Sequence, residues 1–276
     1  MIDRSGTIGF VQKTYMTLSN QNDLSPDNEI VTKTLMSFVA FLKSVCGEDW
    51  ASALPDEPEL AEAAAHLPRL CGLAEVEMEK WWCRRFLAEA GFSPGSLEAF
   101  WYFENYRHLV EAELSLLGAE LGSRAVLLGS GALPLTAILL SRCAENLAVQ
   151  CVDHDGEACG LARRLIHALG ITGQIEIVAG KAEDYCFRPD DTVICASLLA
   201  APAIFDTLAE RGVRTFISRD VAGVFRFCYR QAKPPLAAYR VAGQTDASIR
   251  TINISRLHRL VTGYGSSVMI GLSEVL

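Results

Sequence analysis

The sequence predicts an α/β fold, in which a helical N-terminal region precedes a parallel sheet covered on both faces. Three observations predict it. From Arg124 onward, short apolar runs alternate with helical segments of roughly 10 to 15 residues, the pattern of βαβ units. The first apolar run ends in Gly129-Ser130-Gly131 and passes directly into a helical pattern. The second apolar run ends in an acidic residue, Asp153.

Taken in chain order, the region before Arg124 reads as helical. Asn28 to Cys46 carries Ile30, Leu35, Phe38, Val39, Leu42 and Val45 at helical spacing. Glu57 to Ala90 is rich in Ala, Leu and Glu, with a break expected near Pro68 and Gly72. GFSPGS, from Gly91 to Ser96, is a turn cluster. A third helix is expected from Leu97 to Leu121, with Phe100, Trp101 and Phe103 of its aromatic run in the core. AVLLGSG then reads as a strand, LPLTAILLSRCA as a helix and LAVQCVD as a second strand. EACGLARRLIHALG is a helix stopped by Gly170, and QIEIVAG, DTVICASL and RTFISRD are further strands. AAYRVAG, TINISRLHRL and SSVMIGLS are candidate strands at one sheet edge. The expected division is a helical domain over 1–120 that contributes to the active site and a Rossmann-like domain over 121–276.

Composition narrows the function. Half of the 276 residues are apolar, ample for a sizeable core. The net charge of −8 argues against nucleic acid or an anionic membrane as partner and favours a small-molecule substrate. The most apolar stretch, Ala125 to Ser141, is interrupted by Gly129, Gly131 and Pro134, so no membrane span is expected. With no signal-peptide pattern at the N-terminus, a cytoplasmic protein is expected. Nine cysteines without a C-x-x-C pair read as free thiols, and the five histidines lack metal-ligand spacing. No metal is expected.

Glycines at 129 and 131 let the chain turn tightly where a ligand approaches a helix N-terminus. Asp153 stands where a carboxylate accepts both hydroxyls of a ribose, with His154 next to it in the same loop. Pro134 occupies the third glycine position of a dinucleotide fingerprint, which disfavours a nicotinamide cofactor. S-adenosylmethionine has no phosphates and does not require that glycine. Gly180-Lys181-Ala182-Glu183-Asp184 follows the third strand, where the adenine is expected, read by a backbone amide near Ala182. On the helical side, Glu75 and Glu79 are four residues apart and share a helix face, as do Tyr102 and Tyr106. Two neighbouring carboxylates can hold an ammonium and raise one another's pKa. The alternative for the glutamates is a solvated helix face, with Glu77 and Lys80 beside them. Arg219, at a strand end, is a candidate for pairing with a substrate carboxylate.

GSGALPLTAILL (Gly129 to Leu140), CGLAEVEME (Cys71 to Glu79) and FWYFENYRHLVEAEL (Phe100 to Leu114) resemble three ordered blocks of the nicotianamine synthase family, including its bacterial opine-metallophore branch. Weaker echoes lie at Val152 to Asp155, Ala196 to Leu199 and Arg219 to Tyr229. The resemblance spans residues 70–256 and implies a class I S-adenosylmethionine-binding fold that transfers the 3-amino-3-carboxypropyl arm of S-adenosylmethionine to an amine. It implies Glu79 as base and Tyr106 as a second catalytic residue. Taken with the residue reading, it gives expected cofactor contacts at Gly129, Ser130, Gly131, Asp153, His154, Lys181, Ala182 and Ala196, and expected substrate contacts at Glu75, Tyr102, Glu113 and Arg219. The bacterial branch implies histidine as acceptor, an opine dehydrogenase acting on the product, and room for a homodimer. Leu73, Ala132 and Lys181 depart from the family pattern. Nicotianamine synthesis from S-adenosylmethionine alone, a methyltransferase and a non-catalytic nucleoside binder stay open as alternatives.

Overall fold

A computed structural model describes residues 3–144, 146–199, 202–231, 239–245 and 256–262. Four helices come first: α1 (Arg4–Ser19), α2 (Glu29–Val45), α3 (Ala61–Ala88) and α4 (Phe103–Leu117). Then follow β1 (Arg124–Leu128), α5 (Leu135–Cys143), β2 (Ala148–Asp153), α6 (Gly156–Ala168), β3 (Ile175–Ala179) and β4 (Thr192–Cys195). The last elements are α7 (Pro202–Glu210), β5 (Thr215–Asp220), β6 (Tyr239–Thr245) and β7 (Arg256–Thr262).

The strands form one sheet in the order β3-β2-β1-β4-β5-β7-β6. β1 to β5 are parallel, and β7 joins β5 and β6 in antiparallel pairing. The expected edge strands are present at Tyr239–Thr245, which includes the YRVAG part of AAYRVAG, and at Arg256–Thr262, which includes the RLHRL part of TINISRLHRL, while the rest of both segments and SSVMIGLS lie outside the described residues. Chain order reverses between β1 and β4, and the crevice at such a switch point, beyond the carboxyl ends of the strands, is where open α/β sheets bind ligands.

Alternation along each strand divides the apolar residues between the two faces. Ala125, Leu127, Val149, Cys151, Ile194 and Ile217 face a core shared with Phe86, Phe100 and Phe103 of the helical region. Val126, Leu128, Val193, Cys195 and Phe216 face the other way, against Ile204, Phe205 and Leu208 of α7. A further core joins α1, α2 and the first half of α3 to the segment from Val221 to Tyr229. The helical layer is thus packed on the sheet through continuous apolar contact.

Two helical expectations are corrected, and one helix was not foreseen. α3 runs unbroken through Pro68 and Gly72, because the tertiary contacts of Leu67, Pro68 and Gly72, all buried, outweigh the lost backbone bond. Gly72 is needed for closeness: a Cβ there would meet Leu198 Cδ2 at 3.1 Å. The helix expected from Leu97 begins only at Phe103, after a 3₁₀ segment at Pro94–Ala99, and Trp101 is 46% exposed rather than in the core. α1 went unread because its buried positions, Thr7, Val11, Thr14 and Leu18, are half threonine.

Phe100 is 1% exposed and sits where the helical layer meets the sheet. Phe100→Ala should destabilise the protein by about 3–5 kcal/mol. All four tryptophans (Trp50, Trp81, Trp82, Trp101) precede residue 120. Tryptophan fluorescence and far-UV circular dichroism should therefore move together to lower urea. Separate transitions would show that the two layers unfold independently.

Candidate active site

A cavity of about 1180 Å³ opens at the switch point. Its sheet-side wall begins at the Gly129-Ser130-Gly131 turn. Gly129 and Gly131 have φ of +73° and +67°, the left-handed region that glycine enters without strain. The turn is fastened to the second strand, because the amide of Gly131 donates to Asp153 Oδ2 at 2.8 Å. Asp153 Oδ1 accepts the Asp155 amide at 2.9 Å. Each carboxylate oxygen so keeps a further lone pair, and the pair of them matches the two hydroxyls of a ribose. Ser130 Oγ is buried and, among the described residues, has only the neighbouring Cys151 thiol as a weak polar companion.

The helical wall supplies the acids. Because α3 is continuous, Glu75 and Glu79 point from one face into the cavity with Tyr102 and Tyr106 opposite. The Tyr106 hydroxyl donates to Glu79 Oε1 at 3.2 Å, and the Tyr229 hydroxyl donates to Glu75 Oε2 at 2.5 Å. Glu79 Oε2 lies so close to Gly131 that a Cβ there would stand 1.9 Å from it. Gly131 therefore has two jobs, a positive φ and clearance for a carboxylate from another element.

Both glutamates are half-buried along the cavity wall and enclosed by the protein body. Burial pushes Glu79 up to about 8; the Glu75 charge adds to the rise, and hydrogen bonds from Tyr106 and the Leu133 amide oppose it. Burial raises Glu75 to about 7, against the pull of Tyr229 and Arg219. Near neutral pH the pair holds at least one proton, an arrangement suited to accepting a cation and then a proton.

Every expected site residue lines this cavity except Glu113. Glu113 is fully buried behind Arg219, receiving its Nε at 2.6 Å and one Nη at 3.1 Å. The same Nη donates to Thr136 Oγ1 at 2.8 Å. The expectation that Glu113 lines the cavity is corrected, and the fork of Arg219 is engaged internally rather than left for a substrate carboxylate. It is a buried ion pair tying α4 to β5 and α5. His154, Lys181, Ala182 and Ala196 lie along the sheet-side rim, with the His154 side chain 82% exposed.

Sequence reasoning missed Tyr229, Thr136 and Lys80. Lys80 is 7% exposed rather than part of a solvated face; it pairs with Asp155 at 2.7 Å and Glu157 at 3.1 Å. That bridge fixes α3 to the loop carrying Asp153. Its one sequence signal was a lysine one residue after Glu79 on the face that must dock. Among the described residues no cluster of potential metal ligands occurs, and no helix is long and apolar enough to cross a membrane.

Two outcomes follow. Gly131→Ala should displace Glu79 and strain the turn, with loss of turnover and weaker nucleoside binding, both readable in one kinetic and calorimetric comparison. The second concerns pH. Each glutamate has a folded pKa above the usual 4.5, so the folded protein binds more protons than the unfolded chain between that value and about 8. Their contribution to stability is complete below about 4.5 and is lost as pH rises through 7 and 8. Melting temperature should decline over that window, and Glu79→Gln should flatten the decline. An unchanged slope in the variant would contradict the buried environment of Glu79.

A family model for nicotianamine synthase protein matches residues 5–182. The chain is similar to the L-histidine 2-aminobutanoyltransferase of Yersinia pestis, 36% identical over 99 residues, which are 36% of this chain and 37% of that protein. It is 27% identical over 172 residues to the enzyme of the same name from Pseudomonas aeruginosa, across 62% of this chain and 63% of that one. These matches thus span less than two thirds of the length of either relative. Among solved structures, a glutamate-to-glutamine mutant of MtNAS superposes with a TM-score of 0.79 at 18% identity, covering 93% of this chain and 98% of that one. MtNAS in complex with MTA and tNA gives 0.74 at 19% identity, covering 91% and 96%. At such identities the likeness establishes the fold. With the family model matched over more than half of its length, the chain belongs to the nicotianamine synthase family.

Proposed function

We propose that this protein transfers the 3-amino-3-carboxypropyl group of S-adenosylmethionine to the α-amine of histidine, releasing methylthioadenosine. The observation that supports this reading most is the Glu75–Glu79 pair, with Glu79 laid against Gly131 and bonded to Tyr106, in the same cavity as Asp153. Nucleoside recognition and a proton acceptor then share one site. A methyltransferase needs the nucleoside half; the acid pair is the added part. The names of the Yersinia and Pseudomonas relatives supply histidine as acceptor.

On this reading Asp153 accepts the ribose hydroxyls, the turn at Gly129-Ser130-Gly131 carries the co-substrate over β1, and Lys181, Ala182, His154 and Ala196 border the nucleoside. Residues 1–120 furnish the acids and tyrosines, and residues 121–276 the nucleoside half. The amine of the acceptor forms a C–N bond to the activated carbon while its C–S bond breaks, and the electron pair stays on sulfur. An amine must be neutral to attack, whereas an α-amine is mostly protonated near pH 7. Glu79, in its carboxylate form, takes that proton; Tyr106 holds its orientation, and Glu75 attracts the ammonium. Tyr102 closes the wall against water. No metal is required, because the sulfonium already activates the carbon. The product of one transfer to histidine carries the amines and carboxylates that an opine dehydrogenase would condense with a 2-oxo acid, and the cytoplasm is the compartment where both partners would meet.

Mass spectrometry of a reaction with S-adenosylmethionine, with and without L- or D-histidine, tests the reading. Methylthioadenosine should form only with histidine. S-adenosylhomocysteine would indicate methyl transfer, and a nicotianamine-type product without histidine would make S-adenosylmethionine its own acceptor. Glu79→Gln should lower turnover by about 10²–10⁴-fold with S-adenosylmethionine affinity near that of the wild type. Activity should rise with pH as the Glu79 carboxylate forms, and this limb should disappear in the variant.

A further inference from the structure

The middle of the cavity is acidic, since Glu75, Glu79 and Asp153 all line it. An amino-acid acceptor must nevertheless bring its own carboxylate there. Arg219 cannot grip it with two parallel bonds, as its Nε and Nη2 are engaged by Glu113 and Thr136 and only Nη1 is left. Two other arginines line the cavity, Arg69 and Arg230. Both are exposed, and among the described residues neither makes a hydrogen bond or ion pair. Arg226, one turn earlier in the same segment as Arg230, is by contrast clasped by both oxygens of Asp56 at 2.8 and 2.6 Å.

The two free arginines stand on the same side. Arg69 precedes Cys71 on α3 by two residues, and Arg230 follows Cys228 by two. Cys71 packs against the core that contains Cys228, with its Sγ 3.9 Å from the Phe227 carbonyl oxygen. Glu75 is held from this side too, by Tyr229. The nucleoside end is opposite: Lys80, which binds the Asp153 loop through Asp155, lies eleven residues from Arg69, about 16 Å of helix rise. In a displacement at carbon the nucleophile arrives opposite the leaving sulfur. The acceptor therefore occupies the Arg69 side of Glu79. From Arg69 to Glu75 is about 9 Å of rise, a gap that an arginine side chain and the Cα of an amino acid together bridge.

We infer that Arg69 and Arg230 form the binding site for the acceptor's α-carboxylate, so that the enzyme selects α-amino acids over the corresponding amines. This rests on the aminocarboxypropyl-transfer reading. Guanidinium groups suit the task, because they grip carboxylates through two parallel hydrogen bonds and stay charged at any working pH.

The test compares histidine with histamine, which lacks only the carboxylate. Each is titrated calorimetrically into the protein saturated with methylthioadenosine, and each is assayed as acceptor with S-adenosylmethionine. The wild type should prefer histidine by about tenfold or more, and the Arg69→Gln/Arg230→Gln double variant should treat the two alike. Arg164→Gln removes one positive charge outside the cavity and should keep the preference. A double variant that retains the preference, or a wild type that has none, would overturn the inference. So would a double variant that loses S-adenosylmethionine affinity with its preference intact, since the arginines would then hold the donor's carboxylate. A wild type that binds histidine preferentially yet releases no methylthioadenosine would sink the proposed reaction and leave the carboxylate site standing.

Discussion

The approach of Glu79 to the backbone at Gly131 is the contact on which the site depends. A carboxylate from the helical layer reaches the turn that ends β1, and it does so where any side chain on residue 131 would block it. Several separate features converge on that contact. α3 must be helical from Glu75 to Glu79 for the two acids to share a face, Lys80 must hold α3 to the Asp155 loop, and Asp153 must fix the Gly131 amide. Each bond is modest alone. Together they set one carboxylate beside one turn with little freedom left to either.

The packing explains why this alignment is stable. The apolar core on one sheet face contains side chains from both α3 and β1, so the two walls of the cavity rest on a shared foundation. The buried Arg219–Glu113 pair adds a directional tie between α4 and β5. Buried pairs of this kind contribute little net stability against an apolar substitute, but their geometry is strict, and removing one partner leaves an uncompensated charge. Arg219 is thus better understood as a strut for the wall carrying Tyr106 than as a gripping residue.

The sheet was readable because its strands are buried on both faces and so appear as unbroken apolar runs between glycines and helical segments. The turn at Gly129 and the carboxylate at Asp153 were readable for the same reason: each sits at a strand end, where local chemistry governs. The helical layer was less legible. Pro68 and Gly72 looked like a break because the compensating contacts come from distant segments such as the loop with Leu198. Thr7 and Thr14 masked α1, since threonine is buried there as though it were apolar. Arg219 was recognised as special but assigned the wrong partner: Glu113 is 106 residues away, and no spacing rule connects them. Glu75 and Glu79 were legible as a pair, whereas their bonds to Tyr229 and Tyr106 depend on tertiary placement.

The two raised carboxyl groups also make the cavity a proton reservoir. With Glu79 near 8 and Glu75 near 7, any cation that settles beside them lowers both values and drives protons into solvent. Ligand binding is then coupled to the buffer: the heat measured on binding a sulfonium or an ammonium will include the ionisation heat of whichever buffer takes up the released protons, and apparent affinity will strengthen with alkalinity even where no bond is made or broken.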